Sequence, residues 1–189
     1  MSYKTKKQFI RINTTKNILS VLVLVFFLSF LSGCKQDKEE PAKDPIISTF
    51  YLIRHAEKDR TDPTNSNPEL NQDGLGRAIK WAEVFEPIDL DAIYSTNYER
   101  TSMTAAPTSI KKDIDVKYYN PSEIDIEVLK AENLSKNILI VGHSNTTPVM
   151  ANKLLGYEKY EQMDDTDNGS LFIIRIIDSV ATEIRLNMN

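Results

Sequence analysis

Two short runs in this chain, Thr49 to Arg54 (TFYLIR) and Asn137 to Val141 (NILIV), are almost continuously apolar, and each leads directly into a histidine, His55 and Gly142-His143. Runs this short read as strands rather than helices. A strand that is apolar on both faces must be covered on both faces, which is the situation of a parallel sheet packed between helices. NILIV is the more uniform run and is expected at the centre of the sheet.

The rest of the chain alternates in the same sense. Gln72 to Phe85 carries Leu75, Ala78, Ile79, Ala82 and Phe85 at helical spacing, with Asn71 as the cap. Leu90 to Tyr94 reads as the second strand. A short helix from Glu99 to about Ala106 follows, ended or kinked near Pro107. Asp115 to Tyr119 is the third strand. Ser122 to Glu132 is a helix with Ser122 as cap, and Pro148 to Leu155 another, entered by a proline near its first turn. Leu171 to Ile177 and Ala181 to Leu186 form a closing hairpin at one edge. The fold class expected is α/β, a three-layer sandwich with a mostly parallel central sheet.

The first 45 residues have a different character. Lys4, Lys6, Lys7, Arg11 and Lys16 open the chain without an acidic residue, Ile18 to Leu31 is almost wholly apolar, and Leu31-Ser32-Gly33-Cys34 follows. The apolar run falls short of the roughly 20 residues that span a bilayer. A basic region, a short apolar region and small residues at a cleavage point make an export signal. Its last four residues resemble a bacterial lipobox, in which the cysteine is lipidated. The organisation expected is a signal peptide over 1–33, lipidated Cys34 with a charged tether to residue 45, and a domain over 46–189. Lys35 is not the Asp that resembles an inner-membrane retention signal, so the expected place is the cell envelope, outer membrane rather than inner.

Cys34 is the single cysteine, so the domain is held by its core and not by internal disulfides. Removing the leader takes 23 basic against 27 acidic residues to 18 against 27. A domain this acidic is a poor partner for nucleic acid. An anionic substrate would need a local cluster of positive charge.

The chain supplies one. His55 and His143 are its two histidines. Ligands of open parallel sheets bind outside the carboxyl ends of the strands, and both histidines lie there. Arg54 precedes the first. Arg100 begins the helix after the second strand. Arginine presents a planar fork of donors that matches phosphate oxygens.

These residues resemble the histidine phosphatase superfamily, the phosphoglycerate-mutase-like proteins. The motifs are Leu52-Ile53-Arg54-His55-Ala56, with Ala in place of the family's Gly; Leu70-Asn71-Gln72-Asp73-Gly74 with Arg77-Ala78; Tyr94-Ser95 with Arg100-Thr101 and Thr104-Ala105; and Gly142-His143-Ser144-Asn145. They occur in the family's order between about Thr49 and Ile177. The resemblance implies that His55 is the nucleophile of a phosphohistidine intermediate. It implies that Arg54, Arg100 and His143 bind the phosphoryl oxygens, and that no metal or other cofactor is required.

Departures from the family matter. Ser144 stands where the phytase-like branch has Asp, and the segment after Tyr119 is short. A proton donor must then be sought elsewhere: Glu57, two residues after the nucleophile, is the first candidate and Glu123 the second. Without an insertion to cap the pocket, mutase activity is not expected. Small phosphatases of this kind act on phosphohistidine in signalling proteins, but export argues for a phosphorylated sugar, glycan or other small phosphate ester. The competing reading is a catalytically silent surface lipoprotein that binds phosphate or phosphoglycan. Trp81, Tyr118 and Tyr119 read as packing residues, and Asp164, Asp165, Asp167 and Asn168 as a solvated turn.

Overall fold

The structure, a computed structural model, describes residues 44–188. The export signal, Cys34 and the tether up to residue 43 lie outside the described residues.

Among the described residues ten elements follow one another: β1 (Ile47–Arg54), α1 (Gln72–Val84), β2 (Ala92–Thr96), α2 (Glu99–Lys112), β3 (Val116–Tyr119), α3 (Ile126–Glu132), β4 (Asn137–Gly142), α4 (Thr146–Leu155), β5 (Ser170–Ile177) and β6 (Val180–Asn187). The sheet order is β3-β2-β4-β1-β5-β6. β3, β2, β4 and β1 are parallel neighbours. β5 runs antiparallel to β1 and forms the edge hairpin with β6. This is the expected α/β sandwich, with the NILIV strand third of six.

Alternation along each strand divides the core in two. Phe50, Leu52, Ile138 and Ile140 pack with Leu129 of α3 and Met150, Ala151 and Leu154 of α4. Ile53, Ile93, Leu139 and Val141 pack with Trp81 of α1 and Ala105 of α2. Trp81 is thus a core residue, as its helical position suggests. Burial of this many large side chains at roughly 25 cal/mol per Å² of apolar surface is what orders the sheet.

Most boundaries lie within two residues of expectation, and two helix boundaries differ by more. The helix of Glu99 continues through Pro107 to Lys112. The proline forfeits one backbone hydrogen bond, but Thr104, Ala105 and Thr108 bury one face around it and hold the helix together until Asp113 turns left-handed at φ 55°. α3 begins at Ile126 rather than Ser122. Asn120 Oδ1 accepts from the Ser122 backbone N–H at 3.1 Å and from its hydroxyl at 2.8 Å, forming a turn of its own. Asp125 then caps the helix through Glu127 N and Val128 N.

Candidate active site

β1 and β4 are in register with Arg54 opposite Gly142. His55 and His143 therefore leave the sheet side by side, and His55 N–H donates to Gly142 O at 2.9 Å. Their ring centroids are 5.5 Å apart. Gly142 is required at this point. A Cβ there would come 2.9 Å from the hydroxyl oxygens of both Thr146 and Thr147, where α4 begins.

The loop after β1 is fixed from three sides. Ala56 N–H donates to Thr104 Oγ1 of α2 at 2.9 Å. Asn168 Nδ2 donates to His55 O at 2.8 Å. Asn71 N–H donates to Glu57 O at 2.9 Å, and Asn71 Oδ1 caps α1 through Gly74 N. Ala56 is fully buried beside Leu70 and Ala78, so its methyl fits where the family has glycine.

His55 is 3 % exposed. Its Nδ1 lies 2.7 Å from Ala56 O. A carbonyl can only accept, so Nδ1 carries the proton and Nε2 is left with its lone pair. Burial pushes the His55 pKa down to about 3, the Ala56 carbonyl opposes this, and Arg54, His143 and Arg100 push it further down. The imidazole is therefore neutral across the ordinary pH range.

His143 Nε2 lies 2.8 Å from Thr96 Oγ1. Thr101 Oγ1 donates to the carbonyls of Thr96 and Tyr98, so it accepts from the Thr96 hydroxyl at 3.1 Å. Thr96 Oγ1 in turn accepts from His143 Nε2–H. His143 Nδ1 is buried without a partner. Burial first, and then the charges of Arg100, Arg54 and Lys58, lower the His143 pKa to about 4.

Arg100 stacks over the Tyr98 ring, its Cζ 4.5 Å from the centroid, and the same ring meets His143 edge-on at 5.0 Å. Arg100 Nε and Nη1 are buried without partners, as is Arg54 Nε. Buried donors in native proteins are nearly always satisfied. Three orphaned guanidinium nitrogens therefore mark a place for an acceptor-rich anion, and His143 Nδ1 becomes a fourth donor only when the ring is protonated.

Arg54 is not wholly free for that anion. Its Nη1 donates to the carbonyls of Asp164 at 2.9 Å and Asp167 at 3.4 Å, and its Nη2 to Asp165 Oδ1 at 2.6 Å. The segment read as a solvated turn is instead the counter-charge of a guanidinium that is 1 % exposed, a charge that could not be buried without such partners. Sequence reading missed Asp165, Asn168 and Thr96 in the site, and held Thr104 only as part of a motif. The one available signal was the local density of Asp and Asn at 164–168.

Glu57 requires a correction. Both of its carboxylate oxygens accept from Arg77 Nε, at 2.8 and 3.0 Å, and Arg77 Nη2 adds a contact of 2.7 Å. Burial alone would raise its pKa, but the hydrogen bonds and charge of Arg77 outweigh that and hold it below the usual range. A carboxylate kept ionised by an arginine fork does not suit proton donation. Glu123 is exposed in the turn after β3, its N–H bonded to Asn120 O.

Beside the histidine pair lies an open cleft of about 710 Å³, lined by Glu57, Lys58, Asp59, Arg60, Thr61, Asn71, Asp165, Thr166 and Asn168. Its wall is built from the loops after β1 and before β5, not from the histidines themselves.

Comparison with known proteins agrees with this fold. Residues 50–120 match the model of the histidine phosphatase superfamily, branch 1. Similar solved structures include a putative phosphohistidine phosphatase SixA from Agrobacterium tumefaciens, at 18 % identity over 74 % of this chain and 97 % of that one, TM-score 0.54. A putative alpha-ribazole-5'-P phosphatase from Escherichia coli is 18 % identical over 74 % of this chain and 96 % of that one, TM-score 0.55. A mycobacterial glucosyl-3-phosphoglycerate phosphatase is 11 % identical over 76 % of this chain and 100 % of that one, TM-score 0.54. At these identities the likeness is one of fold. No curated protein matches the chain in sequence.

Proposed function

We propose, from the premise that this chain carries a domain of the histidine phosphatase superfamily, that it is a metal-independent phosphomonoesterase working through a phosphohistidine on His55. The observation that carries the reading is the state of His55. Its Nδ1 is bound to Ala56 O, which leaves Nε2 unprotonated beside the orphaned guanidinium donors of Arg54 and Arg100.

The chemistry follows from those groups. Nε2 attacks phosphorus as the ester P–O bond breaks. Charge spreads over the three equatorial oxygens in a loose transition state. Arg100, through Nε and Nη1, and Arg54, through Nε, are already in place and need no reorganisation, which is where electrostatic catalysis gains most, and His143 adds a donor when its Nδ1 is protonated. Water then takes the phosphoryl group from the nitrogen and His55 is restored.

The substrate class proposed is a phosphorylated sugar, glycan or other small phosphate ester met outside the cytoplasm, by a domain tethered through lipid on Cys34, in the outer membrane rather than the inner. The leader sequence supports the location. The openness of the cleft supports an exposed ester. The similar structures include a mycobacterial glucosyl-3-phosphoglycerate phosphatase and a putative phosphohistidine phosphatase, so the fold is compatible with either kind of substrate.

The test is hydrolysis of p-nitrophenyl phosphate in EDTA by the unmodified protein and by His55→Ala. This ester has a leaving group that departs without a proton. Turnover by the first and none by the second supports the reading. A folded protein silent in both forms, yet binding phosphate, would instead be the catalytically silent binder.

A further inference from the structure

The cleft beside the histidine pair is lined by five titratable side chains, Glu57, Lys58, Asp59, Arg60 and Asp165. Four of them are committed. Arg77 holds Glu57. Arg60 Nη2 and Arg54 Nη2 share Asp165, at 2.7 and 2.6 Å. Asp59 Oδ1 accepts from Thr61 N–H at 2.8 Å. Each carboxylate is thereby kept ionised: Asp59 by its Thr61 hydrogen bonds, Glu57 and Asp165 by arginine contacts that outweigh the upward push of burial. None is placed to give up a proton.

Lys58 is the exception. It makes no hydrogen bond and no ion pair with any described residue. Its backbone is fixed by an antiparallel bridge to Leu70 and by the next residue, whose N–H donates to Glu69 O at 2.8 Å. Its charge is felt by His143, and it feels those of Arg100 and Arg54. Lys58 follows His55 by three residues on the same loop and lines the cleft beside the histidine pair, so an unpaired ammonium is available to a leaving group seated in that cleft.

We propose that Lys58 is a catalytic residue that protonates the leaving oxygen, which fits the site to phosphate monoesters of alcohols and sugars. This rests on the phosphatase reading above. As the N–P bond to His55 Nε2 forms and the P–O ester bond breaks, the departing alkoxide takes a proton from the Lys58 ammonium and leaves as the alcohol. The neutral amine then accepts a proton from the attacking water as its oxygen bonds to phosphorus and the N–P bond breaks. Inorganic phosphate leaves, and both His55 and Lys58 are regenerated. Desolvation first, and then Arg60 and Arg100, shift Lys58 below an ordinary lysine, against a smaller opposing pull from Asp165. That shift makes the ammonium the better acid, the direction that departure of the alkoxide needs. A phosphohistidine substrate, whose imidazole is a better leaving group, would gain little from it.

The test compares leaving groups. The full-length protein, Lys58→Met, Lys58→Arg and Tyr98→Phe are assayed on p-nitrophenyl phosphate and on glycerol phosphate. General acid catalysis contributes about 10²–10⁴-fold, and only the alkyl ester needs it. Lys58→Met is expected to lower kcat/KM on glycerol phosphate at least about 100-fold more than on p-nitrophenyl phosphate. Lys58→Arg keeps the charge but holds its proton too tightly to give it up, so the same disproportion is expected there. Equal losses on both esters, recovery of the alkyl ester by Lys58→Arg, or the selective loss appearing in Tyr98→Phe instead, would each overturn the assignment. Silence of the unmodified protein on both esters would overturn the phosphatase reading itself and Lys58's role with it.

Discussion

Asp165 sets one carboxylate oxygen 2.6 Å from Arg54 Nη2, pairing an aspartate side chain that is 62 % exposed with a guanidinium that is 2 % exposed. The contact spans 111 positions of sequence. It holds Nη2, while the Asp164 and Asp167 carbonyls hold Nη1, so Nε alone is left to the phosphoryl cradle. Asp165 thus both anchors Arg54 and places a negative charge at the rim of an anion site.

Asp165→Asn separates those two effects, because it keeps the shape and an acceptor while removing the charge. The Asp165 carboxylate itself is mostly exposed and its charge is screened to about 0–1 kcal/mol, so inorganic phosphate is expected to inhibit roughly two- to fivefold more strongly. Inhibition constants against p-nitrophenyl phosphate measure this. Weaker inhibition in the variant would mean that anchoring Arg54 outweighs the charge.

Glu57→Gln tests the corrected role of Glu57. The pair with Arg77 is partly buried and bidentate, so its loss is expected to lower stability by about 1 kcal/mol while kcat/KM stays within roughly threefold. The pKa of Glu57 is lower folded than unfolded. Its contribution is therefore present above the unfolded value, near 4.3, and disappears as pH falls through the folded value. Denaturant melts of both proteins at neutral and acidic pH should converge at the acid end. A loss of activity confined to alkyl esters would restore Glu57 as the donor.

Much of this was legible in the sequence, for reasons that differ by element. Strands such as NILIV announce themselves because burial on both faces admits few polar residues. His55 and His143 could be placed because strand ends fix where side chains emerge. Arg77's grip on Glu57 was harder to foresee, since it depends on how α1 docks against the loop after β1. The Arg54–Asp165 pair was out of reach, because nothing local distinguishes an Asp that folds back onto an arginine from one in a solvated turn. The early end given to α2 at Pro107 shows the same limit: local propensity was overruled by packing that only the tertiary structure supplies.

The depressed histidine pKa values give a pH test. An unperturbed imidazole, with pKa near 6.5, would lose about 30-fold of its neutral form by pH 5. His55, at about 3, stays neutral there. So kcat/KM on p-nitrophenyl phosphate is expected to hold or rise from pH 7 to pH 5, the rise coming from protonation of His143 as it donates to the phosphoryl group. A fall of tenfold or more over that range, in protein that remains folded, would show that the nucleophile titrates as an ordinary histidine.

Two glycines of α1 make opposite predictions. A Cβ on Gly74 would lie 2.1 Å from the Glu57 carbonyl oxygen and 3.0 Å from its carbon and nitrogen, whereas a Cβ on Gly76 meets nothing within 4 Å. Both sit in the same helix, so helix propensity alone favours alanine at each by about 0.5–1 kcal/mol. At Gly74 the clash is with backbone, which cannot swing aside as a side chain would. Relief requires α1 to back away from the loop that carries His55 and Lys58. Gly74→Ala is expected to destabilise by roughly 1–3 kcal/mol and to lower kcat as the catalytic loop shifts. Gly76→Ala is expected to raise the melting temperature and leave kcat alone. Thermal melts and initial rates on the two variants check the pair, and equal behaviour would mean that α1 does not hold the loop in place.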